Sequence, residues 1–157
     1  MVMAYKGIYF QKHKEDAPVK ESLADFGIWC KDFPFRLFGD VKDPVSTDWP
    51  EEDGADEYVP EVLRMKAYDI EVEFGYKGNM DSANVKIRAF LDYLTGRDGT
   101  GVEMKVYDSY TKIGRQRVRL SKVSDDAFVR NEGEGDVVVF NATFRVNDPV
   151  TDIILSK

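Results

Sequence analysis

Apolar and polar residues alternate strictly through YDIEVEFGY at 68–76: Tyr68, Ile70, Val72, Phe74 and Tyr76 are apolar, with Asp69, Glu71 and Glu73 between them. Successive side chains on a strand point to opposite faces, so this run predicts a strand with one face on a core. A second alternation fills VVVFNATFRV at 137–146, where Val138, Phe140, Ala142, Phe144 and Val146 share a face. GVEMKVYDSY (101–110) sets Val102, Met104 and Val106 together, and RQRVRLSKV (115–123) follows a turn at 111–114. In one place the period changes. Ala83, Ile87, Phe90, Leu91 and Leu94 recur at helical spacing, Asp81 or Ser82 stands where an N-cap belongs, and Gly96 supplies a left-handed end. These signals predict one principal helix at about 82–95.

Two further strands are expected from AYKGIYF (4–10) and LADFGIWCK (23–31), and the Gly/Asp/Glu-rich NEGEGD (131–136) leads into the run at 137–146. One helix among six or seven strands predicts a mainly β fold, an antiparallel β-sandwich or partly open barrel with one flanking helix. Its expected core is Ile70, Val72, Phe74, Ile87, Phe90, Leu91, Leu94, Val102, Met104, Val106, Val118, Leu120, Val138, Phe140, Phe144 and Val146.

From about 34 to 60 no period survives. Gly39, Asp40, Asp43-Pro44, Trp49-Pro50 and Asp53-Gly54 are breakers that neither a helix nor a central strand would carry. The centre of this loop, STDWPEEDGADEYVP, holds six carboxylates, two prolines and one of two tryptophans. Such a loop is costly to order alone, and is expected to be poorly ordered until a neighbour grips it.

The 157 residues suit a single domain, 1–157, and 43% hydrophobic with 13% aromatic content is that of a globular chain. A net charge of −7 argues against a nonspecific hold on nucleic acid or an anionic membrane, which needs clustered cations. No apolar run approaches the roughly 20 residues that span a bilayer. Cys30 is alone, and MVMAYKGIYF has no signal-peptide core, so folding in a reducing cytoplasm is expected.

Candidate chemistry is sparse. No Walker loop, GxSxG or GxGxxG is present, and one Cys with one His cannot make a zinc site. Cys30 and His13 are the only pair for a nucleophile and its base, and the plainer reading is a buried thiol and a solvated imidazole. Asp48, Glu51, Glu52, Asp53, Asp56 and Glu57 suffice in number for Ca²⁺ but miss the EF-hand register, since the sixth position after Gly54 is Pro60. No metal and no cofactor are expected. Asp69, Glu71 and Glu73 lie about 7 Å apart along one strand face, a spacing open to glycoside hydrolysis. Arg115, Arg117 and Arg119 repeat the same period on a later strand, so pairing of the two stripes, within a chain or between subunits, accounts for both. A phosphate-reading role for the arginines runs against the acidity of the chain. Trp29 and Trp49 keep a carbohydrate-binding sandwich open as an alternative, although Trp29 is expected in the core.

Several segments together carry a resemblance: an opening hairpin, a long loop with WPEEDGAD, the strand KAYDIEVEFGYKG, a helix ending in FLDYL, a GRQRVRL strand and a final FRVNDP. This succession resembles the N-terminal, ring-forming domain of siphophage distal tail proteins and related tail-tube-fold proteins of Bacteroides-type phages and prophages. The resemblance spans nearly the whole chain and rests most on WPEEDGAD. It implies a structural, non-catalytic protein of the virion tail that closes into a hexameric ring between tail tube and baseplate. Its partners would be copies of itself and other tail and baseplate proteins. Because the chain ends at Lys157, without the carbohydrate-binding-like domain of longer members, assembly is expected rather than receptor binding. The residues expected at a subunit interface are Trp49, Glu51, Glu52, Asp53, Asp56 and Tyr58 in the loop, and Arg115, Arg117 and Arg119 on the strand. The rival classes are a monomeric carbohydrate-binding module and a small carboxylate-dependent hydrolase.

Overall fold

The computed structural model describes residues 7–31, 33–123, 128–131 and 136–156. Along the chain, β1 (Ile8–Lys12) and β2 (Lys20–Glu21) form a short hairpin, followed by α1 (Ser22–Phe26) and β3 (Ile28–Cys30). β4 (Ser46–Thr47) and β5 (Asp56–Glu57) belong to a separate two-stranded sheet. Then come β6 (Tyr68–Lys77), α2 (Ala83–Thr95), β7 (Met104–Asp108), β8 (Ile113–Val123), β9 (Phe128–Asn131) and β10 (Asp136–Val146). The main sheet is antiparallel in the order β2-β1-β7-β8-β10-β6-β3, with β9 pairing β10 off this path, and it curls into a half-barrel.

The mainly β, partly open barrel with one principal helix matches the pattern of the sequence. β6 shows why the alternation was informative: Tyr68, Ile70, Val72, Phe74 and Tyr76 are buried, and Asp69 and Glu71 are exposed. α2 lays Phe90 and Leu94 on that apolar face. The Phe90 ring meets Phe74 edge-on at 5.1 Å and Phe10 at 6.0 Å, and Phe26 of α1 tilts against it at 5.3 Å. Edge-to-face contacts of this kind add to the area the rings bury. Gly96 ends α2 at φ 79, the left-handed conformation that favours glycine. The helix start differs from expectation: neither Asp81 nor Ser82 caps it by its side chain. The Asn79 side chain instead accepts the Asp81 N–H at 3.0 Å and opens a 3₁₀ turn, Met80–Ser82, that leads into α2.

Four other expectations are corrected. LADFGIWCK is not one strand: Ser22–Phe26 is helical, Gly27 at φ 70 ends the turn, and only Ile28–Cys30 pairs with β6. Val102 precedes β7 and is 43% exposed, so it leaves the core list. Trp29 points to the outer face, 38% exposed, with its ring over Gly75; a Cβ there would lie 3.2 Å from the indole. The glycine leaves room for the ring, and Val137 and Val139 are buried on that same outer face. The first part of β10 is therefore buried on both faces, which simple alternation does not reveal. The fourth concerns residues 34–60, where no period predicts strand pairing and short antiparallel pairs nevertheless form, as described below. The expected strand residues 4–6 and residues 132–135 of NEGEGD lie outside the described residues.

Candidate functional site

The breaker-rich segment is a β-ribbon that projects from the half-barrel. Its ladder begins where Lys66 N–H donates to the Asp40 carbonyl at 2.7 Å and Lys42 N–H to the Arg64 carbonyl at 2.7 Å, around a bridge between Val41 and Met65. Tyr58 N–H donates to Val45 at 2.9 Å, Ser46 pairs with Glu57, and Thr47 with Asp56. The tip turns through Trp49–Glu52, with Glu52 N–H on the Trp49 carbonyl at 3.1 Å, and Gly54 takes a positive φ of 79. The backbone groups thus pair with one another in the absence of a core. From Val41 to Arg64 every residue except Pro44 and Pro60 is exposed.

This arm carries the loop residues singled out from the sequence. Trp49 (52% exposed), Glu51, Glu52 and Asp53 sit at the tip, Asp56 on β5, and Tyr58 (72%) just beyond it. Val45, Val59, Val62 and Leu63 of the arm, with Leu37 and Phe38 at its root, are also exposed. Large apolar residues exposed in number on one short segment are a mark of an interaction surface. Those residues lack any period, and sequence reasoning passed over them; their only signal is an apolar content unusual for a segment so rich in breakers. A groove of about 520 Å³ beside the ribbon is lined by Pro44, Tyr58, Pro60, Val62 and Leu63, among others. Charge along the arm is polarised. Residues 43–63 hold eight carboxylates and no Lys or Arg, while Lys66 at the root pairs with Asp43 at 3.4 Å.

The arginine stripe divides. A register shift between Met104 and Val106 in the pairing of β7 with β8 is a bulge, and a bulge breaks the period of two. Arg117 and Arg119 face outward, but Arg115 turns inward and is 1% exposed. There its guanidinium fastens the arm root. Nη2 donates to the Arg36 carbonyl at 3.2 Å and the Leu37 carbonyl at 3.1 Å, and Nη1 to Asp152 Oδ1 at 2.6 Å and the Gly114 carbonyl at 2.9 Å. The planar fork suits such a cluster of acceptors. Tyr68 completes the fastening: its hydroxyl accepts the Arg36 N–H at 3.1 Å and donates to the Arg36 carbonyl at 3.3 Å. Burial raises the Tyr68 pKa, so the phenol stays protonated and able to donate. Asp148 holds the nearby 148–152 segment by accepting from Thr151 and Val150 N–H and from the Gln116 amide. Partial burial pushes its carboxyl up, and these donors outweigh that and bring it down to about 2.

On the outer face of the sheet, Asp69, Arg145 and Arg119 stand in one cross-strand row on β6, β10 and β8. β10 therefore separates the carboxylate stripe from the arginine stripe. Arg145, which the sequence did not bring forward, pairs with Asp69 at 3.4 Å; Arg117 pairs with Glu103 at 3.6 Å. Asp69 and Glu71 are exposed on this face. Among the described residues no three His, Cys, Asp or Glu side chains are grouped as a metal would need.

A second concavity, about 480 Å³, lies beside the C-terminus of α2 and is lined by Lys12, Lys14, Tyr93, Asp98 and others. Burial lowers the Lys12 pKa to about 8, a value that in a cleft invites a catalytic reading. Yet Lys12 Nζ donates to the Tyr93 carbonyl and, at 2.6 Å, to the Gly101 carbonyl, while Lys14 Nζ reaches the Gly99 carbonyl at 2.6 Å. These ammonium groups satisfy the negative end of the helix and its following loop. His13 is likewise engaged, through Nε2 and the Gln116 carbonyl. Cys30 is buried on β3, with β7, β8, β10 and β6 between β1 and β3 in the sheet order.

A scan against protein-family models and searches of curated proteins and of solved structures found no match to this chain. No helix among the described residues is long and apolar enough to cross a membrane.

Proposed function

We propose that this chain is a structural subunit of a phage or prophage tail, of the distal-tail or tail-tube kind, that assembles into a closed ring between tail tube and baseplate. The observation that carries the reading is the arm: a backbone-paired ribbon whose apolar side chains, Trp49 and Tyr58 among them, are turned to solvent. Buried aromatics supply much of the affinity at interfaces, and an arm held ready in one shape loses little freedom on docking. Contacts in which one surface of a subunit meets a different surface of the next generate rings when the rotation closes. The sheet architecture and the succession of segments described above support the tail assignment; the arm supports self-assembly.

The test is light scattering and negative-stain imaging of the purified chain over a rising concentration series, joined to mass spectrometry of tail particles from a producing host. Rings of uniform size, and the chain among tail components, are the expected results. A single-chain mass at every concentration, together with absence from the particles, overturns the proposal.

A further inference from the structure

We infer that the arm of one copy docks on the outer face of β8 of a second copy, with Arg119 and Lys122 receiving the acidic tip; this rests on the self-assembly reading above. Two surfaces on the molecule carry opposite charge. The first is the arm, with eight carboxylates over residues 43–63, no cation among them, and exposed Val45, Trp49, Tyr58 and Val59 beside the charges. The second is the outward side of β8. Lys122 lies opposite Thr143 and Arg119 opposite Arg145, so both project from the outer face with Arg117.

Of these cations Arg117 has its own partner in Glu103, whereas Arg119 and Lys122 meet no carboxylate among the described residues. Arg119 Nη1 reaches only the Leu120 carbonyl, at 3.4 Å. Nor does the arm satisfy them within its own chain. It is exposed from Val41 to Arg64, apart from the two prolines, so it does not lie along its own sheet. A second copy offers the cations without that restriction. Complementary charge of this kind fixes register and speeds encounter, while the apolar residues beside it hold the contact once water leaves. The interaction joins unlike surfaces, so each copy both gives an arm and receives one.

The experiment uses the full chain and sedimentation velocity across a concentration series at about 0.1 M salt, where charges beyond about 10 Å are screened. One variant carries Arg119→Glu with Lys122→Glu, a second carries Glu51→Lys with Glu52→Lys, and a third carries all four. Each pair alone is expected to weaken association at least tenfold, and the four together to recover most of it, because opposite charges then face each other again. Melting curves check that the variants fold; if the Glu pair melts early, Arg119→Gln with Lys122→Gln replaces it, with a loss of threefold or more expected. A parent that assembles while the β8 variants assemble equally well overturns the docking face alone. Failure of the fourfold variant to improve on the β8 pair has the same meaning. A parent that never associates removes the self-assembly reading itself, and the docking face with it.

Discussion

Phe90 and Trp49 are both large aromatics, and the two regions of the molecule treat them oppositely. In the half-barrel Phe90 is fully buried, ringed by Phe10, Phe26 and Phe74, and its position follows from helical spacing against an alternating strand. In the arm Trp49 stands half exposed at a turn, on a ribbon whose backbone groups pair with one another. The half-barrel is stabilised by what its side chains exclude from water, and the arm by hydrogen bonds and by its fastening at the root. On the proposed reading, stability and interaction reside in separate parts of one chain, and changes in each should produce separable effects.

The largest effect belongs to the half-barrel. Phe90→Ala should destabilise by about 3–5 kcal/mol in denaturant titration, the usual range for emptying a buried aromatic site. A loss below about 1 kcal/mol would mean that the helix face does not carry the core. Next comes the junction. Arg115→Ala strips the partner from the Arg36 and Leu37 carbonyls and should cost about 2–4 kcal/mol, as removal of buried charged hydrogen-bond donors does. More telling is the expected faster hydrogen exchange at the Lys42 and Lys66 amides, the first rungs of the arm, against little change in β6. Equal acceleration in both would erase the distinction between the two regions.

A smaller effect is expected with acid. The Asp148 carboxyl is held below its ordinary value in the folded chain, so its contribution is fully present above about pH 4 and is lost as pH falls through about 2. Allowing for solvent screening, Asp148→Ala should remove roughly 1 kcal/mol near neutral pH and flatten that part of the stability profile in calorimetry. The smallest effect on stability should come from Trp49→Ala. Its melting should stay within about 0.5 kcal/mol of the parent, as exposed substitutions do, while self-association weakens. A clear loss of stability with unchanged association would reverse the comparison and make the arm a structural element of its own subunit.

The half-barrel was largely legible because β6 and α2 each present one apolar and one polar face, so that burial follows from period. Legibility failed where that condition failed. Val137 and Val139 are buried on the second face of β10, where Trp29 spreads over Gly75 on the adjoining strands, and no alternation announces this. Arg115 was placed with Arg117 and Arg119 by counting in twos, and a bulge in the neighbouring pairing undid the count. Ser22–Phe26 is too short for helical spacing to separate it from the strand that follows. The arm's place was legible from its prolines, glycines and acids. Its pairing was not, since two-residue strands joined through backbone groups leave no mark on side-chain pattern. Under the proposed self-assembly, the surface that the loop residues would meet is a property of two chains that one chain's pattern does not contain.

The fastening of the arm root by Arg115 and Tyr68 has a mechanical consequence. About ten residues separate the root from the tip, so at the rise of a strand the tip can stand at most about 30 Å out. On a lever of that length a rotation of about 10° at the root sweeps the tip through about 5 Å, farther than the reach of one ion pair. Angular play at the guanidinium is therefore magnified into misalignment at the far end, and a few hydrogen bonds at the pivot set the aim of side chains that they never touch.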